Sequence, residues 1–351
     1  SQIKWFTSEG PTTELNAGRS LQAYLSDYFD VLFDQSPKIS NELVNRNGIS
    51  GAAAGARQHL FKRIFENSSE PLLGLPEDKA PPEKSMYLSV LKASNIHCQT
   101  DAGWHLQLPE RGRHSDPIRI RPAMDAIVEI LDETPDARVS VDRIRDKLRA
   151  RPYGVRDGLI PILYSIALKV LESEIAVYED GEFKPVIDGN LMMRLAKQPQ
   201  TFEFQVCRLN GIRTELLQKF ASVLESHEAA PSTLLSIVRP LCLFIDQLPE
   251  YSCNTDRLPQ RTLALRKAIL AAKEPAYLVF TAIPQALGID LKKASKDESV
   301  ALSKYLSTSL RELRLAYADL QQRMAKSILE SSDGEFENLD AWRSSYSSTA
   351  E

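Results

Sequence analysis

The chain is short of the residues that most directly announce chemistry. Only four cysteines and five histidines are spread over its 351 residues. Cys98, Cys207, Cys242 and Cys253 lie far apart and mostly within apolar runs, which excludes the dense disulfide framework of a small secreted domain and leads us to expect a reducing, cytoplasmic setting. Long hydrophobic runs are missing as well: Gly158 to Leu171 and Leu234 to Leu248 are broken by Pro, Lys, Arg or Asp, so no membrane association is expected. Charge of one sign is not in excess either. Lys and Arg number 43 against 47 Asp and Glu, a net charge of −4, so any anion-binding face must be local. Finally, there is no Walker A loop. The stretch from Gly48 to Gly55 has three glycines but neither the Lys nor the Ser/Thr that would reach phosphate and Mg²⁺; these small residues read as places where helices pack closely. No catalytic residue and no cofactor are expected, which excludes a stand-alone nucleotide hydrolase.

What is present is a periodic, mainly helical pattern. Leu21, Tyr24, Leu25, Tyr28, Phe29 and Leu32 recur at helical spacing and predict a core-facing helix over Leu15 to Phe33. A short helix over Asn41 to Arg46, a break at Asn47-Gly48 and a longer helix capped by Ser50 follow, the last with Ala52, Ala53, Ala56, Leu60 and Ile64 inward. A helix over Lys84 to Ala93 then leads to a hairpin of Ile96 to Gln99 and Trp104 to Leu108. The order recurs with a helix over Arg121 to Leu131, a strand over Ala137 to Val141, and a helix over Val141 to Ala150 capped by Ser140. An apolar helix over Val155 to Leu171 and a hairpin about Asp180-Gly181 complete it. Helix, helix, helix and hairpin, twice, predict tandem winged-helix modules at 15–110 and 118–187, followed by a helical bundle at 188–330 and an acidic flexible tail at 331–351. The predicted fold class is therefore mainly α with small β wings. The bundle begins with a helix to Lys197 and a strand over Thr201 to Leu209. Its remaining helices cover Arg213 to Glu225, Ser232 to Gln247, Gln260 to Ala272, Pro275 to Leu287 and Asp297 to Leu329. In the last, Leu302, Leu306, Leu310, Leu313, Tyr317, Leu320, Met324 and Ile328 form one stripe, a packing or coiled-coil seam open to homo-oligomerisation.

Two polar groupings merit weighing. His97, Cys98, His105 and His114 match no structural zinc spacing and read as ordinary packing and surface residues, so no metal is expected. The second grouping is basic. Between Arg143 and Arg156 stand Arg143, Arg145, Lys147, Arg149, Arg151 and Arg156 against one acid, Asp146, with Ile144 and Leu148 holding the helix inward. The ridge suits phosphates along a duplex backbone, or an acidic partner surface. In the first module Lys38, Asn45, Arg46, Asn47, Arg57, His59, Lys62 and Arg63 flank the short helix and the longer one after it, whose exposed start carries Ser50, Arg57 and Gln58, types able to meet base edges; Arg46, Arg57 and Lys62 are the candidates taken from it. These nine basic residues are the candidate nucleic-acid-binding set. Asp180 and Glu182 sit in a tight turn and read as turn formers.

Several strings resemble the region behind the P-loop module of large bacterial ATPases of anti-phage defence islands, with the BREX-type phage-exclusion ATPases the nearest named group. They are the run from Pro37 to Arg46, Pro82 to Tyr87, Arg151 to Leu159, and Val177 to Gly181 with Phe183 and Pro185. The likeness covers most of residues 15 to 290. It implies a winged-helix and helical portion of a DNA-associated ATPase whose phosphate-binding loop lies outside this chain. With Ser at position 1 and a strand-like Ile3 to Phe6, the expectation is a piece of a longer protein. DNA, other defence-system subunits or the rest of its own ATPase are then the expected partners. A protein-interaction and oligomerisation scaffold is the alternative.

Overall fold

A computed structural model describes residues 5–7, 10–12, 18–46, 48, 50–101, 103–112, 114–134, 137–207, 220, 233–289, 296–331 and 339–347. The helix expected over 213–225 and most of the tail lie outside these residues. The chain is mainly helical with small antiparallel sheets, and it divides into two units, Ser1–Val206 and Cys207–Glu351. No helix among the described residues is long and apolar enough to cross a membrane.

The first unit opens with a small hairpin, β1 (Trp5–Thr7) and β2 (Gly10–Thr12), and helix α1 (Gly18–Leu32). Its main body follows from α2 (Gly51–Glu66), which starts where Ser50 accepts the Ala53 amide at 3.3 Å and ends in a cap at Asn67. Helix α3 (Pro82–Met86) runs into a π-helical turn (Tyr87–Lys92), and β3 (His97–Thr100) pairs with β4 (Gly103–Leu106), His97 opposite Leu106. Then come α4 (Arg121–Asp132), β5 (Val139–Ser140), α5 (Val141–Arg149), α6 (Ile160–Val170), the hairpin β6 (Ile175–Glu179) with β7 (Glu182–Lys184), α7 (Gly189–Lys197) and β8 (Phe202–Val206). Local chemistry accounts for the starts and turns: Ser140 caps α5, Asp188 caps α7 at 2.7 Å, and Asp180 and Gly181 both take positive φ at the hairpin tip.

The four-stranded sheet has the order β5-β8-β6-β7, all antiparallel. The strand expected at the head of the helical half is thus the centre of this sheet. Its alternation of Phe202, Phe204 and Val206, all buried, against half-buried Glu203 and Gln205 buries one face on the first unit's core. That core is continuous from Ile39 to Val206. At its centre lies α6, with every residue from Ile160 to Leu168 buried and neighbours in α2, α4, α7 and β4. Where α2 crosses α7, a Cβ on Gly189 would lie 2.8 Å from the Lys62 Cα, so the approach requires glycine.

Three expectations fail here. Helix α1 is not core-facing: Leu25, Tyr28 and Phe29 are exposed and Leu21, Tyr24 and Leu32 only half-buried. Residues 41–46 form a hydrogen-bonded turn rather than a helix, because Asn41 spends its side chain on the Leu43 amide and on Ser85 and Ser89. Gly51 and Gly55 permit no close packing. Open space surrounds both, as it does Gly48, and Ala52 beside them is exposed.

The second unit contains α8 (Leu235–Asp246), α9 (Glu250–Asn254), α10 (Gln260–Leu270) and α11 (Pro275–Tyr277), the last continuing through a π-helical turn (Leu278–Ala282) into α12 (Ile283–Leu287). The long α13 (Lys296–Ser331) and α14 (Leu339–Ser347) complete it. Helix α10 touches α8, α12 and α13, and its Thr262 hydroxyl bonds Ser309 (3.1 Å) and Glu312 on α13. The α13 stripe divides: Leu302, Leu306, Leu310 and Leu313 are buried, whereas Tyr317 and Met324 are exposed and Leu320 and Ile328 half-buried. Within the expected flexible tail, residues 339–347 are helical.

Candidate anion-binding cleft

The three longest strings behind the family resemblance meet in the first unit. Asn41 donates to Ser85 (2.9 Å) and Ser89 (2.8 Å), joining the 37–46 loop to α3 and its π-helical turn. The Gly158 amide donates to the Arg46 carbonyl at 2.9 Å, and a Cβ there would sit 2.5 Å from the Val44 carbonyl oxygen. The loop's other end is held by Lys38, whose amide donates to the Ile118 carbonyl at 2.7 Å. Gly154, at φ +56, lies against the Phe33 ring at the end of α1. The bond between Arg151 and Pro152 is cis.

Between these loops open two adjoining recesses, of about 540 and 580 Å³, which share Ser36, Lys38, Gly154, Val155 and Arg156. The larger is also lined by Phe29, Asp30, Phe33, Arg119 and Arg149, so four cations face one carboxylate. Three of the four are already engaged. Lys38 Nζ is 3.8 Å from Asp30, Arg149 Nε 3.7 Å from Asp157, and the Arg119 guanidinium donates to the Asp34 carbonyl. Arg156 is exposed and has no carboxylate partner among the described residues.

The basic ridge itself is more neutral than its composition. Arg143 pairs with Glu133 at 3.1 Å, and Arg145 with Asp142 at 3.1 Å and Asp146 at 4.0 Å. Counting from Arg143 to Arg156 leaves out Asp142 and Asp157, one residue beyond either end, and these are the acids that engage Arg145 and Arg149. Lys147, Arg151 and Arg156 stay exposed and unpaired among the described residues. The exposed Arg143–Glu133 pair contributes about 0–1 kcal/mol, whereas Arg145 and Asp142 are half-buried.

In the first module, Arg46 sits beside the cleft through its carbonyl and pairs with Glu42 at 2.9 Å. Arg57 and Lys62 lie along α2 instead. The half-buried Arg57 guanidinium is 5.8 Å from the Phe61 ring centroid, and burial pushes its pKa down to about 10, still charged at neutral pH; Lys62 is 3.8 Å from Glu66. Sequence reasoning placed Lys38 in the polar set around the short helix but not among the candidate binding residues, and it missed Arg119, which nothing local marked.

His97 is fully used in holding its hairpin. Its Nε2–H donates to the Ser68 carbonyl (3.1 Å), its Nδ1 accepts the Tyr87 hydroxyl (3.0 Å), and its ring packs on Trp104 with centroids 4.9 Å apart. Neither nitrogen has a lone pair left for a metal. Burial lowers the imidazole pKa, with His105 adding to the effect and the Ser68 bond opposing it, and burial pushes Tyr87 up to about 12. No group of three or more His, Cys, Asp or Glu positioned for a metal ion occurs among the described residues. None of the four cysteines is joined in a disulfide.

No protein-family model, curated protein or solved structure matches this chain.

Proposed function

We propose that this chain is a non-catalytic DNA-binding and assembly region of a bacterial phage-exclusion-type ATPase, holding duplex DNA by its phosphates. The observation that carries the reading is the cleft between the 36–46 and 150–159 loops, where Lys38, Arg119, Arg149 and Arg156 outnumber Asp30 and where Arg156 is uncommitted. Lys147 and Arg151 extend the same charge along α5 and the loop after it. The order α4, β5, α5, α6, β6, β7 reads as a winged helix with β8 added between β5 and β6, and the α2, α3 and β3–β4 region as a partial first copy. In that reading α6 holds the recognition-helix position, and its burial removes it from any groove. Affinity then comes from backbone contacts, with little base readout.

The test is a fluorescence-anisotropy titration of the full chain with labelled duplex across a range of salt. Replacing Lys147, Arg151 and Arg156 by Glu lowers the log–log salt slope by about 0.9 for each phosphate that the protein no longer neutralises. An unchanged slope with the fold intact by circular dichroism refutes the reading. The same preparation releases no phosphate from ATP, with or without DNA, because no P-loop Lys or hydroxyl is present.

The assembly part is favoured by a separate observation, the exposed Tyr317 and Met324 on α13 beyond the buried Leu313. Light scattering of the Met324→Lys variant, expected to be less associated than the parent, tests it.

A further inference from the structure

The geometry points to single-stranded nucleic acid as the preferred occupant of the cleft, its phosphates on Arg156 and Lys38 and its bases on the aromatic edge of α1. This deepens the duplex-binding reading above and rests on it.

Duplex phosphates alone do not explain the aromatic part of the lining. The larger recess is lined along α1 by Phe29 and Phe33, whose rings stack with centroids 6.3 Å apart. Phe33 is fixed against Gly154, which ties the aromatic wall to the loop that carries Arg156. Phe29 is 51 % exposed, and Tyr28 beside it, at 6.0 Å between centroids, is 45 % exposed. Tyr24 continues the row, stacked on Tyr28 at 6.4 Å. A row of rings along one helix, Tyr28 and Phe29 exposed and Tyr24 and Phe33 half-buried, is unfavourable in water and unused by the first unit's core. Duplex DNA offers such a row nothing, since its base faces are covered by their own stacking. A single strand offers both halves of the match: a charged backbone for the guanidinium side and a free π-face at each nucleotide for the rings. Stacking of this kind is sequence-tolerant, so the cleft would not discriminate among bases. An acidic peptide would satisfy the cations but leave the rings uncovered.

The experiment compares the full chain and two variants by anisotropy against three labelled probes at one salt concentration: a short oligothymidylate, a blunt duplex of the same length, and polyglutamate of matched length. The parent is expected to bind the oligothymidylate most tightly. Phe29→Ala, an exposed substitution that leaves the core intact, is expected to weaken the single strand about tenfold and the duplex hardly at all. Arg156→Glu is expected to weaken both. Equal weakening of single strand and duplex by Phe29→Ala, no weakening of either, or polyglutamate binding as tightly as the oligothymidylate would each overturn the single-strand assignment. If the duplex binds and responds to Arg156→Glu while the single strand shows no preference, this inference falls and the proposed function stands. If no nucleic acid binds at all, both fall.

Discussion

Helices α1 and α6 lie in the same unit and are both rich in apolar and aromatic side chains, yet their surroundings are opposite. Nine consecutive residues of α6 are buried, Pro161 and Ser165 among them, because helices and a strand cover it on every side. No described side chain of α1 is buried; Val31 is 76 % exposed. The difference teaches that an apolar stripe encodes a demand for cover without naming what supplies it. In α6 the supply comes from the same unit. In α1 the described residues supply none, and the end of the helix lines the cationic cleft. The same split recurs inside α13, between the Leu302 to Leu313 half and the half that carries Tyr317 and Met324.

The largest effect should separate the two helices directly. Leu163→Asp in α6 buries an unpaired carboxylate and is expected to remove more than about 4 kcal/mol, whereas Val31→Asp in α1 should change stability by less than about 0.5 kcal/mol. Urea unfolding followed by circular dichroism reads both; equal losses would show that α1 is covered in solution. Next is α13, where Leu306→Ala should cost about 2–5 kcal/mol and Met324→Ala less than about 0.5 kcal/mol under the same assay. A large cost at Met324 would mean that this half of the helix is already buried in an assembly.

Glycines give the third contrast. Gly158→Ala drives a methyl group into the Val44 carbonyl and should destabilise by about 1–3 kcal/mol. Gly55→Ala, in open space inside α2, should instead stabilise by about 0.5–1 kcal/mol through helix propensity. Melting temperatures moving in opposite directions would bear this out; movement in the same direction would contradict the packing described.

The smallest effect concerns the two hairpins, which are held by groups of opposite acid–base character. The pKa of His97 is below its usual 6.5 in the folded chain, mainly through burial, so the unfolded chain takes up the proton first. The stability His97 lends is therefore complete above 6.5 and drains away as pH falls from there toward the folded value. Glu179, on β6, is held below its usual 4.5 chiefly by the Arg194 guanidinium, which binds it through two bonds of 2.7 and 3.0 Å. Its contribution is complete above 4.5 and is lost only as pH falls through the lower folded value. Thermal melts from about pH 7 to about pH 5 should thus show a downward slope that His97→Gln flattens and Arg194→Gln leaves alone. The reverse pattern would invalidate the bonding assigned to His97.

Much of the fold was legible because the relevant signals span only a few residues. Ser50 and Ser140 announced the starts of α2 and α5, and Asp180-Gly181 announced its hairpin, since caps and tight turns are closed by bonds between residues two or three apart. The cleft was half legible. Arg149 and Arg156 stood out within the basic cluster, but Arg119 is brought in from a different segment, and the pairing of Arg149 with Asp157 needed the loop between them to fold back. Asn41 misled for the same reason: its partners, Ser85 and Ser89, lie more than forty residues on, and they hold 41–46 as a turn.

By itself the sequence determined the helical character of the chain, the position of most described helices and of the hairpins at 97–106 and 175–184, and the absence of a P-loop; the hairpin at 5–12 and the helices at 250–254 and 339–347 gave no such signal. Each feature so determined depends on side-chain spacing along one segment, where backbone geometry leaves few alternatives. The tertiary structure alone decided that β8 enters the sheet between β5 and β6, that α6 is enclosed while α1 is bare, and which arginines remain unpaired beside the cleft. Those outcomes depend on contacts between residues distant along the chain, and a local pattern can require such a contact without specifying its partner.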